Sequence, residues 1–237
     1  MTTFTPEPQQ ASHRIDWPFV LTMSRLVLAP VIAALILAAE LTFFRFGAHL
    51  SATLLAIALA LFVAAALSDF FDGRIARATG RVSVLGAALD HASDKALTGA
   101  SLVALAATSL PFDLVGAATL LILRDAAIGG LREGLAKGAH ALPVAPLGKA
   151  KTVALMAGIG FAIAAPISVI WGGGAAQSAL FDPAALLLAF ARAALWAAVA
   201  LSLWSGAAYL QAALRRNVAI SAQPTENTEK STQTNAD

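Results

Sequence analysis

The sequence predicts an all-α integral membrane protein, six transmembrane helices around a polar cavity that faces the cytoplasm. Three observations carry this expectation. Of the 237 residues 58% are hydrophobic and only 13% charged, and the mean hydropathy is +0.74. Apolar runs of about twenty residues recur, the length at which a helix spans the hydrocarbon of a bilayer. Short segments rich in proline, glycine or basic residues separate these runs. The length suits one helical domain, expected over residues 15–216, between a mobile polar tail (1–14) and a disordered C-terminal tail (217–237). With no cysteine, disulfides and thiolate metal sites are excluded, which leaves carboxylates and four scattered histidines as side-chain ligands. The net charge of +2 is small, and no nucleic-acid partner is expected. The basic residues gather in a few loops, where they can orient the protein and meet anionic lipids of the bilayer.

Taken in order, the first apolar run, Trp17 to Ala39, is too long for the core of a signal peptide and no small-residue cleavage pattern closes it, so a retained helix is expected. Arg25 lies inside it and either snorkels to the interface or lines a polar cavity. Residues 40–49 read as a short loop, and the second span runs from Leu50 into the polar stretch SDFFDGRIARATG. The third, Gly86 to Leu110, starts with Asp90 and Asp94 and turns apolar; Pro111 then marks a hairpin into the fourth. That fourth helix begins PFDLVGAATLLIL and changes abruptly to RDAAIGGLREGLAKG. Asp125, Gly129 and Arg132 share one helical face, with Arg124 beside them, and such charges do not face lipid. Either Asp125 and Arg132 form an ion pair near the interface, or the stripe lines the same cavity as the aspartates. A basic loop, Lys137 to Lys151, leads to the fifth span, which ends near Trp171. Lys149 and Lys151 stand at its mouth, as membrane anchors or as ligands for an anion. The sixth span is expected from Ala184 to Leu214, ended by Arg215 and Arg216. Six spans place both termini on one side, together with Arg74, Arg77, Arg81, Arg132, Lys137, Lys149, Lys151, Arg215 and Arg216, against Arg45 alone in the opposite loops. That side is expected to be cytoplasmic.

The chemistry concentrates between Ser68 and Lys95. Asp69 and Asp72 are three residues apart, Asp90 and Asp94 four, so each pair shares a helix face, and two such helices would bring four oxygen donors together. Solvated acidic faces are common, and Asp90 and Asp94 could simply favour the positive end of a helix dipole. Asp69 and Asp72 have no such help, because their helix runs on toward Thr79 and Gly80 and they lie nearer its negative end. Both follow directly on an apolar run, and ionisable groups at that depth are rare unless they serve a function. Carboxylates in this number are hard-oxygen ligands suited to Mg²⁺ or Mn²⁺, which in turn bind phosphates. Gly73, Ala76 and Gly86 leave room for a ligand near the backbone, or for tight helix packing. Arg77 can pair with a phosphate or anchor the cytoplasmic surface.

The spacing resembles a known signature. Asp69, Asp72, Gly73, Ala76 and Arg77, then eight residues, then Gly86, Asp90 and Asp94 follow the pattern DxxDGxxAR(x8)GxxxDxxxD of the CDP-alcohol phosphatidyltransferases at all eight fixed positions. The resemblance implies that Asp69, Asp72, Asp90 and Asp94 hold Mg²⁺ or Mn²⁺, two ions in all, and that Asp94 is also the general base. It implies that Asp69, Gly73, Ala76, Arg77 and Gly86 surround the CDP moiety, and that an alcohol attacks the β-phosphorus of a CDP-linked lipid and releases CMP. WPFVLTMSRLVLAP is similar to the opening helix of phosphatidylglycerophosphate synthases at Pro18, Leu21, Thr22, Arg25 and Pro30, with Phe19 where they carry asparagine; this adds Thr22 and Arg25 to the nucleotide contacts. A second block, with Arg124, Leu131-Arg132-Glu133, Pro143-Val144 and Gly148-Lys149-x-Lys151-Thr152, is similar to that subfamily too. It implies CDP-diacylglycerol as donor and glycerol 3-phosphate as acceptor, with Arg124, Arg132, Lys149 and Lys151 on the acceptor's phosphate. A homodimer is implied by the same analogy. Inositol phosphate or serine as acceptor would keep the chemistry. A metal or proton transporter would explain acids at depth but not the small residues and Arg77 between them, and no inverted repeat is evident. A basic membrane scaffold leaves the aspartate pattern without a purpose.

Overall fold

The computed structural model describes residues 17–79, 84–108, 110–136, 147–172 and 182–221, with side chains over 20–68, 88–108, 110–131, 150–172, 182–207, 210–211 and 214. Six helices follow one another: α1 (Trp17–Phe46), α2 (Ala48–Thr79), α3 (Val84–Ala106), α4 (Phe112–Ala136), α5 (Leu147–Trp171) and α6 (Pro183–Ser221). The expected tails, 1–14 and 217–237, lie outside the described residues except for 217–221, which are the helical end of α6 rather than disordered tail. The chain divides into two compact units after Ala104, within α3.

In the first unit, α1 runs on through Glu40–Phe46, which the sequence suggested as loop. Charged residues there imply water, but nothing before Gly47 breaks a helix. Gly47 does so by adopting φ 98°, a left-handed conformation that only glycine takes without strain. It is the whole connection to α2, whose Ser51 amide bonds back to the Gly47 carbonyl at 3.5 Å. A one-residue turn makes α1 and α2 antiparallel neighbours, and counting away from Gly47 sets their register. Ala39 falls level with Leu55, Ile36 with Ala58, Ile32 with Phe62 and Ala29 with Ala65, and all eight are buried. Their 3-4 spacing is that of a helix–helix seam, and the alanines let the backbones approach closely.

In the second unit, α4 and α6 run parallel. Asp113 near the start of α4 meets Arg192 on α6, and Arg124 eleven residues later meets Ser202 and Ser205, so the register advances equally on both helices. α5 is antiparallel to α6, since Gly158 abuts Leu195 while Phe161 stacks on Phe190 at 5.5 Å. A methyl group at Gly158 would lie 2.7 Å from Leu195 Cγ and 3.1 Å from its backbone nitrogen, so the absence of a side chain sets how close these helices come. Leu114, Ala117, Ala118 and Leu121 of α4, Leu155, Ile159 and Ile163 of α5, and Leu195, Ala198 and Val199 of α6 are buried. Asp182 caps α6 by accepting the Ala184 amide at 2.9 Å, with Pro183 at the first helical position, where its missing donor costs nothing.

Among the described residues, five helices are long and apolar enough to cross a membrane: Val20–Phe46, Ala48–Ser68, Phe112–Leu131, Ala150–Trp171 and Pro183–Ala207. The expected third span does not qualify among the described residues, because Asp90, Asp94 and Lys95 occupy the first half of α3. The sixth helix also exceeds its expected end. It continues through Arg215 and Arg216 to Ser221, 39 residues in all, and the basic pair ends the apolar segment but not the helix, in which arginine is a good former.

Candidate active site

The buried seam of α1 does not stop at Ala29. One turn further toward the N-terminus come Arg25 and then Thr22, 1% and 5% exposed. In the register set by Gly47 they stand level with positions 69 and 72 of α2. Positions 69 and 72 therefore continue the 3-4 spacing of the α2 seam at the point where that of α1 turns polar. Their side chains, and those of Gly73, Ala76 and Arg77, lie outside the described residues, although the backbone there is helical to Thr79. Gly86 is likewise placed only as part of the first turn of α3.

The second pair is placed by a contact. Arg25 donates from Nη2 to Asp90 Oδ1 at 2.7 Å, and this ion pair ties α1 to the first half of α3. Its two ends differ in surroundings. Arg25 is buried, whereas the Asp90 side chain is 53% exposed, so the carboxylate keeps surface for a further partner. Asp94 is half-buried one turn on, and its carbonyl accepts the Thr98 hydroxyl at 2.9 Å. Positions 69 and 72, with Asp90 and Asp94, thus belong to the same end of this unit. The donor set suits a hard divalent cation: carboxylate oxygens in pairs on two helices, one of them pre-oriented by a buried guanidinium. Among the described residues no three metal-binding side chains converge, and Asp69 and Asp72 are not among those. Thr22 and Arg25, suggested as nucleotide contacts, are buried, and Arg25 reaches the site through Asp90.

The second unit carries a cationic group. Arg124 and Asp125 sit where α4 changes from apolar to polar, and Lys151 lies in the first turns of α5. Asp125 Oδ1 accepts from Lys151 Nζ at 2.6 Å and from Arg124 Nη1 at 3.0 Å. All three are largely withdrawn from solvent, with side-chain exposures of 9% for Lys151, 15% for Asp125 and 16% for Arg124. Lys151 is therefore no solvated membrane anchor. Arg124 also reaches α6, from Nε to the Ser202 carbonyl at 2.8 Å and from Nη2 to the Ser205 hydroxyl at 2.7 Å. Among the described residues the group comprises two cations and one carboxylate. Arg132 and Lys149 lie on α4 and α5 with side chains outside the described residues, and so does the suggested Asp125 to Arg132 pairing; among the described residues Asp125 pairs with Arg124 and Lys151. Reading the sequence did not bring forward Ser202, Ser205 or Gly206. The only signal there was a small polar interruption, SLWSG, in an otherwise apolar run.

Comparison with known proteins gives the family. The family model for CDP-alcohol phosphatidyltransferase matches residues 16–204. A CDP-diacylglycerol–glycerol-3-phosphate 3-phosphatidyltransferase of Cereibacter sphaeroides is 38% identical over 61% of this chain, and the matched stretch covers 62% of that relative's length. Enzymes of the same name from Rickettsia bellii and Sodalis glossinidius are 39% and 30% identical, over 57% and 65% of this chain and 67% and 76% of theirs. With the eight signature positions on α2 and α3 and the match running through all six helices, the chain belongs to the CDP-alcohol phosphatidyltransferase family.

Proposed function

We propose that this protein transfers the phosphatidyl group of CDP-diacylglycerol to glycerol 3-phosphate, releasing CMP and forming phosphatidylglycerophosphate, a step of phospholipid synthesis. The observation that carries this reading is the polar end of the α1–α2 seam, where the aspartate positions of α2 stand level with Arg25 and Arg25 holds Asp90. The names and identities of the relatives support the same donor and acceptor.

Asp69, Asp72, Asp90 and Asp94 would hold two divalent ions, Mg²⁺ or Mn²⁺, which when bound neutralise the diphosphate and make its phosphorus more electrophilic. Asp94 takes the proton of the acceptor hydroxyl as that oxygen bonds to the β-phosphorus. The bond from this phosphorus to the bridging oxygen breaks, and CMP leaves with the electron pair. No covalent enzyme intermediate is needed. Gly73, Ala76 and Gly86 leave space for the nucleotide beside the backbone, and Arg77 and Thr22 serve the CDP moiety. Arg25 acts one step back, by fixing the Asp90 carboxylate. Arg124, Arg132, Lys149 and Lys151 serve the acceptor's phosphate, so an acceptor without one is a poor substrate. The protein sits in the cytoplasmic membrane with six spans, α3 included, its termini and site on the cytoplasmic side and a second copy as partner. The 190s and 200s of α6, apolar to Ala207, cross, and the remainder extends into the aqueous phase.

The test is the lipid product. Purified protein in detergent is given CDP-diacylglycerol and Mg²⁺ with glycerol 3-phosphate, inositol phosphate, serine or no acceptor, and the lipids are identified by mass. Phosphatidylglycerophosphate from the first mixture is expected. A product only from another alcohol keeps the reaction class and discards the acceptor, while folded protein that yields none from any mixture overturns the reading.

A further inference from the structure

Arg124 is held more completely than its role on a phosphate would require. A guanidinium has five N–H donors. Three are committed, one each to the Ser202 carbonyl, the Ser205 hydroxyl and Asp125. Among the described residues two remain, one on each terminal nitrogen, which is the fork that grips two oxygens of a phosphate. The acceptors on α6 are unusual. The Ser202 carbonyl takes the Ser205 hydroxyl at 3.0 Å as well as Arg124, and it can be approached from the side because position 206 is glycine. A Cβ there would stand 3.2 Å from Arg124 Nε and 3.5 Å from Nη2, in the space the guanidinium uses. Ser205 donates its one proton to Ser202, so its lone pair faces Arg124 as an acceptor of fixed direction. Asp125 closes the frame by binding the Arg124 terminal nitrogen and Lys151 through one oxygen.

We propose that Ser205 and Gly206 of α6, with Asp125 of α4, are the positioning residues of the acceptor-phosphate site: they aim the two remaining N–H groups of Arg124 at the phosphate and keep Lys151 beside it. This rests on the reading of glycerol 3-phosphate as acceptor.

Ser205→Ala removes one acceptor and leaves the helix intact, and Gly206→Ala fills the space. Each is expected to raise the KM for glycerol 3-phosphate about tenfold, since a hydrogen bond to a charged group is lost or bent, and to leave the KM for CDP-diacylglycerol unchanged. Asp125→Asn should behave likewise, and Asp125→Glu should recover most of the loss. Leu203→Ala, half exposed on the same helix, should match the wild type. Calorimetry with glycerol 3-phosphate and the protein in detergent should show the same weakening without turnover, which a merely structural role would not produce. Wild-type protein that neither binds nor turns over glycerol 3-phosphate overturns the reading and this inference with it. Wild-type turnover alongside variants whose two KM values stay unchanged, or rise together, overturns the inference alone.

Discussion

Arg25 and Asp90 show how burial decides what one contact is worth. The guanidinium is 1% exposed and the carboxylate 53%, so the two partners have different alternatives to each other. Asp90→Ala takes an acceptor from a buried cation, at a cost of about 1–3 kcal/mol. Arg25→Met returns an accessible carboxylate to water and fills the same space, at a cost under about 1 kcal/mol. Thermal unfolding in detergent without divalent ions should rank the two variants in that order, and the reverse order would contradict the assignment of the buried end. Arg25 stood out in the sequence as a charge within an apolar run. Its partner did not, because the two are 65 positions apart and meet only once three helices have folded. The aspartates were legible for the opposite reason, since helical periodicity turns spacings of three and four residues directly into shared faces. The pairing of Asp125 with its neighbour Arg124 and with Lys151 was not legible, because Lys151 is 26 positions away on the next helix.

Between helices, small residues set the distances. Gly158→Ala brings a methyl group against the Leu195 backbone, so it should lower stability by about 1–3 kcal/mol, with part of the loss recovered in the double variant with Leu195→Ala. Gly116→Ala on α4 meets nothing within 4 Å and should instead stabilise by up to about 1 kcal/mol through helix propensity alone. Both are read as shifts in Tm, and equal shifts would mean that space is not the cause. Gly47 has open space but φ 98°, so Gly47→Ala should cost about 1–2 kcal/mol through the backbone rather than through packing. Five of the six helices were recognisable from apolar length, and α3 from the helical spacing of Asp90 and Asp94 ahead of a shorter apolar run. Their ends were less so, because Glu40–Phe46 and the turns after Arg215 carry charge that reads as loop yet contain no residue that stops a helix. The framing of Arg124 by α6 was not legible at all, since serine and glycine in an apolar helix are ordinary packing residues until a guanidinium is found against them.

For the molecule in its membrane, the decisive element is α3, whose first half is too polar to enter lipid unless other helices surround it. Six crossings put both termini on one side and five put them on opposite sides. The chain has no cysteine, so single cysteines introduced near each terminus and at the exposed Phe46 report their side without background. Impermeant thiol reagents applied to intact cells should reach position 46 and neither terminus; labelling of one terminus would show that α3 does not cross. Whether the carboxylates perform the reaction is tested most directly by CMP release from CDP-diacylglycerol, followed for the wild type and Asp94→Asn with glycerol 3-phosphate and Mg²⁺ or Mn²⁺. The wild type should release CMP only when acceptor and divalent ion are both present, and Asp94→Asn should be slower by about 10²–10⁴-fold, the usual contribution of a general base, at an unchanged KM for the lipid. CMP release by Asp94→Asn at the wild-type rate would contradict the account.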